Sequence, residues 1–359
     1  MNNIYAKQID TLGLDNYVNV MQENIEKSDL EDVFNIQEIT SSLMVGKGFD
    51  YSTTISKILN LFFKEVFITL KSSISIIIIL VVIALLKNLE IEEGSSIIKI
   101  ADFVCFLSLS IILLTNFIQV IQTFKGTCNT VTTLMQIISP FLMGILVITG
   151  AVTTTGIVQP LILFVTSFIG FVITNIVVPF LSISVAFNII DSLNSKIGLS
   201  KLGKIFSSSS MWIIGVTFTL FLGILSLQTT VTSSVDSLAI KTTSAAVSNF
   251  VPVVGKFFAD SFETVVGAAK VVNKVGGVVG IISVIAVMII PIIKIVVIWI
   301  IYSILSAICQ PICKDEKMIK VISNFAGIYK TLSGILIGVG LLFVISIGII
   351  LNVGSSIIK

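Results

Sequence analysis

The sequence contains no histidine and no arginine in 359 residues. Without histidine, the chain has no imidazole to act as a general base, to activate a serine or cysteine, or to bind zinc. Because all 22 basic residues are lysines, bidentate guanidinium contacts to phosphate are also excluded. Nucleophile-elbow, Walker and zinc-helix motifs do not occur either. We therefore predict that the protein is not an enzyme and uses no cofactor or metal.

Charged residues are also scarce. They make up 12% of the chain, whereas a soluble domain has about 25%. Hydrophobic residues make up 55%, and the mean hydropathy is +1.08. Residues 126–190 contain no charged side chain. These values exclude a soluble globular, disordered or fibrous protein, and a net charge of +2 gives no reason to expect a nucleic-acid partner. We predict an all-α, polytopic integral membrane protein.

Residues 1–57 form the one clearly aqueous segment, with nine acidic residues against four lysines. Ser28 and Glu31 have the spacing of a capping box. Lysines are more numerous in the loops that an outside N-terminus would place in the cytoplasm. We therefore predict an acidic, extracytoplasmic region of amphipathic helices over 1–57 and a multi-span membrane domain over 58–359. The apolar residues at helical spacing in the first region are Leu14, Tyr17, Val18, Met21 and Ile25.

A second amphipathic segment follows at residues 55–71. Lys57, Lys64 and Lys71 share one side of a helix, and apolar residues lie along the other. That pattern is typical of a helix resting in the lipid headgroup layer. We expect it to lead into the first membrane span.

The apolar runs predict about eight transmembrane helices, since each crossing needs about 20 apolar residues. Residues 276–313 would form a helix about 57 Å long, too long for one bilayer, so we predict two spans meeting near Pro291 and Lys294. The predicted spans lie near 72–86, 103–124, 135–152, 161–179, 205–227, 276–293, 295–313 and 332–353.

Residues 228–275 are rich in small and hydroxylated side chains and carry scattered charges, including Asp260 and Glu263. Pro252 and Gly255 interrupt this segment in the manner of a discontinuous transporter helix. One interpretation is a broken or re-entrant element lining a polar cavity. The other is an amphipathic helical hairpin on the membrane surface.

Lys294 also has two interpretations. At a turn between two spans it would reach the membrane surface, whereas within one helix it would be an intramembrane charge and a functional candidate. An intramembrane lysine needs an anionic partner, and Asp260 and Glu263 are the nearest acidic residues on its N-terminal side. Gly276 and Gly280 are four residues apart, a spacing that allows close helix packing.

Several blocks of sequence resemble the stage III sporulation protein AE family. The resemblance covers nearly the whole chain, although family members often begin with a signal sequence that is absent here. The blocks are residues 223–228, 233–242, 248–255, Asp260 with 265–267, 291–294, 301–302 and 310–311.

The resemblance implies a protein of the mother-cell membrane that surrounds the forespore in an endospore-forming bacterium. It also implies a channel-like complex with an ATPase, ring-forming subunits of the same operon and stage II sporulation protein Q. Our preferred hypothesis is a membrane subunit of that complex, permease-like or scaffolding, needed for forespore development. The alternatives are an autonomous secondary transporter using Lys294, Asp260 and Glu263, and a purely structural anchor.

Overall fold

The computed structural model describes residues 12–26, 34–45, 51–88, 96–193, 198–250, 254–313 and 316–356. Within these ranges all regular structure is helical, which confirms the all-α prediction.

Two short helices come first, α1 (Leu14–Glu26) and α2 (Ile36–Met44). The five apolar residues expected on the inner side of the first helix are all buried. The proposed capping box at Ser28 lies outside the described residues. The observed cap is Asn35, whose Oδ1 accepts the Glu38 N–H at 3.0 Å.

The lysine-bearing segment forms α3 (Tyr51–Ser72), which is followed by α4 (Ile74–Asn88). The two helices meet at an angle of 43°. At the junction, the hydroxyls of Ser72 and Ser73 both donate to the carbonyl oxygen of Thr69, at 2.9 and 2.8 Å. Serine hydroxyls that bond back to the preceding turn bend helices, which accounts for the angle.

Helix α5 (Ser96–Ile148) is a single element of 53 residues where two spans were predicted. The helix does not end at the polar residues between those spans. The hydroxyls of Thr127, Thr130 and Thr133 donate to carbonyl oxygens one turn earlier, so they find partners within the helix. The turn comes instead at 149–151, where Gly150 has a φ of 93° that favours glycine.

The next element begins at Val152, so the residues that directly follow the predicted span 135–152 form the first turn of a helix. It consists of α6 (Val152–Val172), a π-helical turn at Ile173–Val177, and α7 (Val178–Leu193). Then follow α8 (Ser200–Phe250), α9 (Val254–Cys313) and α10 (Glu316–Ser356).

Helix α9 continues through Pro291, near which two separate spans were predicted to meet. Pro291 is flanked by isoleucines on both sides and has no Gly, Asn, Asp or Ser neighbour to form a turn. In hydrocarbon, backbone groups that leave a helix lose their partners, so an isolated proline is accommodated within the helix. On either side of 251–253 the chain is likewise helical, and these helices do not confirm a re-entrant segment.

The described residues contain five helices long and apolar enough to cross a membrane, or six if the bent pair α3–α4 is one span. The predicted count of about eight is not confirmed. Helix α9 alone is 60 residues, or about 90 Å, roughly three times the thickness of the hydrocarbon layer. The five candidates are Lys99–Ile148, Val152–Leu193, Ser200–Leu227, Val266–Pro311 and Lys317–Asn352.

Helices α5, α9 and α10 pack together at the centre, and α6, α7 and α8 pack around them. Glycines of α10 make the close approaches. A Cβ added at Gly334 would lie 2.9 Å from Met211, and one at Gly338 would lie 2.8 Å from Phe218. These small residues therefore set the spacing between α10 and α8.

Candidate functional site

The residues singled out by sequence all belong to one helix or its immediate approach, and they do not form one site. Gly276, Gly280, Pro291 and Lys294 lie on α9. Gly255, Asp260 and Glu263 lie near the N-terminal end of the same helix, where the structure describes only the backbone. Pro252 lies outside the described residues.

Lys294 is half-buried in the interior of α9 and not at a turn. Asp260 precedes it by 34 residues on the same helix, which corresponds to about 51 Å along the axis. An ion pair between these two residues of one chain is therefore excluded, and the same geometry excludes Glu263. A solute or ion path that uses all three residues remains a prediction.

Gly276 and Gly280 instead form a notch that receives Tyr17 of α1. The Tyr17 ring stacks on Phe141 of α5, with centroids 4.0 Å apart and planes 7° apart. Its hydroxyl donates to the Gly276 carbonyl oxygen at 3.0 Å. A Cβ at Gly280 would lie 2.9 Å from the Tyr17 oxygen and 3.1 Å from Ile138. The absence of side chains at these glycines is what allows α1 to dock.

Burial also raises the pKa of the Tyr17 phenol. The hydroxyl therefore remains protonated and stays a hydrogen-bond donor to α9. Tyr17 thus adds an aromatic contact and a hydrogen bond to the buried apolar side chains that attach this acidic, amphipathic helix to the bundle.

A polar and aromatic cluster joins the three central helices. Asn116 of α5 donates to the Tyr302 hydroxyl of α9 at 2.8 Å. The Tyr302 ring meets the Tyr329 ring of α10 edge to face, with centroids 5.5 Å apart. Phe325 packs beside Tyr329 at 6.4 Å. The cluster fixes the relative heights of α5, α9 and α10.

An ion pair joins the C-terminal end of α7 to the start of α10. Lys320 Nζ lies 2.5 Å from Asp191 Oδ2, and the Asp191 side chain is 1% exposed whereas that of Lys320 is 40% exposed. Nearby, the Ser184 hydroxyl donates to the Gly203 carbonyl oxygen at 2.7 Å. These contacts hold α7, α8 and α10 together at one end of the bundle.

The opposite end is joined by Asp236 of α8, which caps α6 from outside that helix. The N–H groups of Thr153 and Thr154 donate to its two carboxylate oxygens at 2.9 and 2.8 Å. The local cap residue, Ala151, has no side chain that can accept these bonds. A carboxylate at a helix N-terminus also interacts favourably with the helix dipole.

Burial acts to raise the pKa of Asp236, but the hydrogen bonds from Thr154 and Thr153 outweigh it and hold the pKa below its ordinary value. A folded-state pKa below the unfolded value of about 3.9 gives stabilisation that is present above that pH and is lost as the pH falls through the folded pKa.

We expect Asp236→Ala to lower the free energy of unfolding by about 1 kcal/mol at neutral pH, because both N–H groups lose their acceptor. Asp236→Asn keeps one acceptor oxygen and should cost less. The difference between wild type and Asp236→Asn, followed by denaturant unfolding in detergent, should shrink as the pH is lowered from about 6 to about 3. A difference that grows on acidification would contradict the cap.

The most unusual surface lies on α5. We define the polar face as Gln119, Gln122, Gly126, Asn129, Thr133 and Gln136, which are all exposed and uncharged. Their spacing alternates between three and four residues, so they form one continuous row. The row is about 26 Å long, close to the thickness of the hydrocarbon layer. Within the part of the chain that the structure describes, the side-chain amides of Gln119, Gln122 and Asn129 make no hydrogen bond.

A row of exposed phenylalanines on the adjacent helix lies level with the Gln136 end of the polar face. Helices α5 and α6 are neighbours, since Gln136 Nε2 lies 3.4 Å from Ser167 Oγ. Around this contact α6 exposes Phe164, Phe168 and Phe171, which are 67%, 43% and 56% exposed. Such side chains suit lipid, and the whole polar face belongs to the candidate membrane span Lys99–Ile148.

This face was missed in the sequence analysis, although its signal was available. Residues 126–190 were treated as a uniform neutral block because they carry no charge. Within that block and just before it, the amides and hydroxyls recur with helical periodicity. Whether such a row is buried or exposed depends on which neighbours cover the helix, and only the fold shows that.

Comparison with known proteins identifies the family. The family model of stage III sporulation protein AE matches residues 34–354. The chain belongs to this family. Stage III sporulation protein AE of Bacillus subtilis (strain 168) is 26% identical over 282 residues, which are 77% of this chain and 68% of that protein. No solved structure matches the chain.

Membership of the stage III sporulation protein AE family confirms the resemblance and gives the protein a role in sporulation. Its apolar helices fit a multi-pass membrane protein. The matched region contains the whole polar face, the Asp236 cap and the Gly276–Gly280 notch, whereas Tyr17 precedes it.

Proposed function

We propose that the protein is a membrane subunit of a channel complex that links mother cell and forespore. In this proposal it lies in the mother-cell membrane around the forespore and assembles with an ATPase, ring-forming subunits and stage II sporulation protein Q. Its helical bundle acts as the scaffold of the conduit within the bilayer, and forespore development depends on it. Family membership and the multi-pass helical architecture support this role.

The polar face of α5 is the observation that carries the proposal. Moving an amide from water to a medium without hydrogen-bond partners costs roughly 4–8 kcal/mol. A chain acting alone would expose three amides with no partner in the described structure, Gln119, Gln122 and Asn129, at the depth of the bilayer. Covering that face with protein removes the cost, so a subunit of a larger membrane assembly fits the surface better than a solitary transporter does.

The alternative of an autonomous transporter loses its main support from the geometry of α9. Asp260 and Glu263 cannot pair with Lys294 in the same chain, because they lie about 46–51 Å from it along the helix. Purified protein in vesicles should therefore carry no solute flux by itself. Flux that Lys294→Ala abolishes would favour the transporter instead.

Spore formation tests the proposed role directly. Deleting the gene should stop development after engulfment, and the wild-type gene should restore heat-resistant spores. The double variant Asn129→Leu with Gln136→Leu should restore far fewer spores, since it removes two amides from the polar face. Phe164→Leu with Phe171→Leu is the matched control on the lipid-facing row and should restore normal yields. Normal sporulation without the gene would refute the proposal.

A further inference from the structure

We infer that the polar face of α5 binds the polar face of a second copy of this chain, so that two parallel α5 helices form a seam inside the bilayer. The biological role of this pairing rests on the proposed function. The contact between the two α5 helices can be tested separately, on purified protein.

The spacing of the face indicates a helix as the occupant. Alternating steps of three and four residues place Gln119, Gln122, Gly126, Asn129, Thr133 and Gln136 at the a and d positions of consecutive heptads. Two helices with this pattern wind around each other along one narrow seam. Gly126 lies within the row, and small residues let membrane helices approach closely.

The chemistry of the face indicates an identical partner. Each glutamine and asparagine amide is both a donor and an acceptor, so it can bond to its own counterpart across a two-fold axis. The row carries no charge, so two copies do not repel each other along the seam. Hydrogen bonds of Asn, Gln and Thr between helices are a recurrent means of association in membranes.

The one charged residue beside the seam is compatible with this pairing. Lys125 is half-buried and takes a g position in the same heptad assignment. In a parallel pair a g residue faces the e position of the partner helix, which here is residue 130. Thr130 is uncharged, and its hydroxyl oxygen can accept a hydrogen bond from an ammonium group.

The membrane orientation fixes the symmetry. All copies of a polytopic protein insert with the same topology, so the two α5 helices run parallel and the two-fold axis lies along the membrane normal. Each a or d residue then meets its own counterpart. Single cysteines placed in the row should therefore form disulfides with themselves.

The experiment uses the full-length chain with Cys105, Cys128, Cys309 and Cys313 replaced by alanine. The variants with single cysteines at Gln122, Asn129 and Thr133 are purified, reconstituted into vesicles and oxidised, and the fraction of cross-linked dimer is measured on gels. Phe171→Cys on α6 and Ile183→Cys on α7, both at exposed apolar positions, are the matched controls. We expect strong dimer bands at the three seam positions and weak bands at the controls.

A second measurement guards against variants that dimerise poorly because they misfold. Gln122→Leu with Asn129→Leu should keep the thermal stability of the monomer in detergent but weaken dimerisation by about tenfold or more, since four amides leave the seam of the dimer. Phe164→Leu with Phe168→Leu should leave both quantities unchanged.

Three results would overturn the inference. Seam cysteines that cross-link no better than the controls exclude a second copy at this face. Seam cysteines labelled by a water-soluble thiol reagent in intact vesicles show that the face lines an aqueous passage. Cross-linking to a different protein in sporulating cells, with no self-pairing of the purified chain, assigns the face to another partner. The cross-linking and dimerisation measurements need no sporulating cells. If the purified protein dimerises as expected but the wild-type gene does not restore spore formation in the deletion strain, only the proposed function is contradicted.

Discussion

Replacing Gly280 by alanine is expected to destabilise the protein by about 1–3 kcal/mol, although alanine is the better helix former. The new Cβ would lie 2.9 Å from the Tyr17 hydroxyl oxygen and 3.1 Å from Ile138. Real Cβ contacts below 3.0 Å essentially do not occur, so the Tyr17 hydroxyl must shift out of its position or α9 must move away from α1 and α5. Loss of the Tyr17 position also breaks its hydrogen bond to Gly276 and its stacking on Phe141.

Gly267→Ala is the matched control, because Gly267 belongs to the same helix and a Cβ there meets nothing within 4 Å. This change should stabilise the protein by up to about 1 kcal/mol through helix propensity alone. The two substitutions therefore have opposite expected signs. Thermal unfolding in detergent measures both, and limited proteolysis reports whether α1 is released in Gly280→Ala. Equal shifts for the two variants would show that α1 does not dock in the notch.

Periodicity was sufficient to predict α1, because this helix is short and amphipathic. Its buried residues, among them Leu14, Met21 and Ile25, are those that the helical spacing selects. Tyr17 belongs to the same set, but its partner, Gly276, is 259 positions away. The pairing of a tyrosine with a particular glycine notch depends on tertiary packing, which a local pattern does not contain.

The number of spans was harder to predict for a physical reason. Hydropathy marks where about 20 apolar residues occur, but it does not show where a helix ends. At 125–134 the hydroxyls of Thr127, Thr130 and Thr133 bond to their own helix, and at Pro291 no turn-forming residues are present. Helices of 53 and 60 residues result, each covering two predicted spans. The polar face was missed for the same reason, because part of it lies between the predicted spans 103–124 and 135–152.

The ion pair between Asp191 and Lys320 should respond asymmetrically to loss of either partner. Lys320→Met is expected to destabilise the protein by about 1–3 kcal/mol, because the buried carboxylate of Asp191 loses its counter-ion and keeps only its hydrogen bonds from Ser200. Asp191→Asn should cost less, below about 1.5 kcal/mol, since the Lys320 side chain is 40% exposed and its ammonium can turn to water. The relative size of the two losses of stability thus depends on how deeply each partner is buried, and not on the sign of its charge.

The double variant Asp191→Asn with Lys320→Met completes the cycle. With no charge left in the buried site, the penalty of Lys320→Met disappears, and the double variant should be more stable than Lys320→Met alone. Denaturant unfolding in detergent at neutral pH measures all four proteins. Additive effects would show that the two side chains do not interact, and a larger loss for Asp191→Asn than for Lys320→Met would show that Asp191 stabilises the junction of α7, α8 and α10 through other contacts.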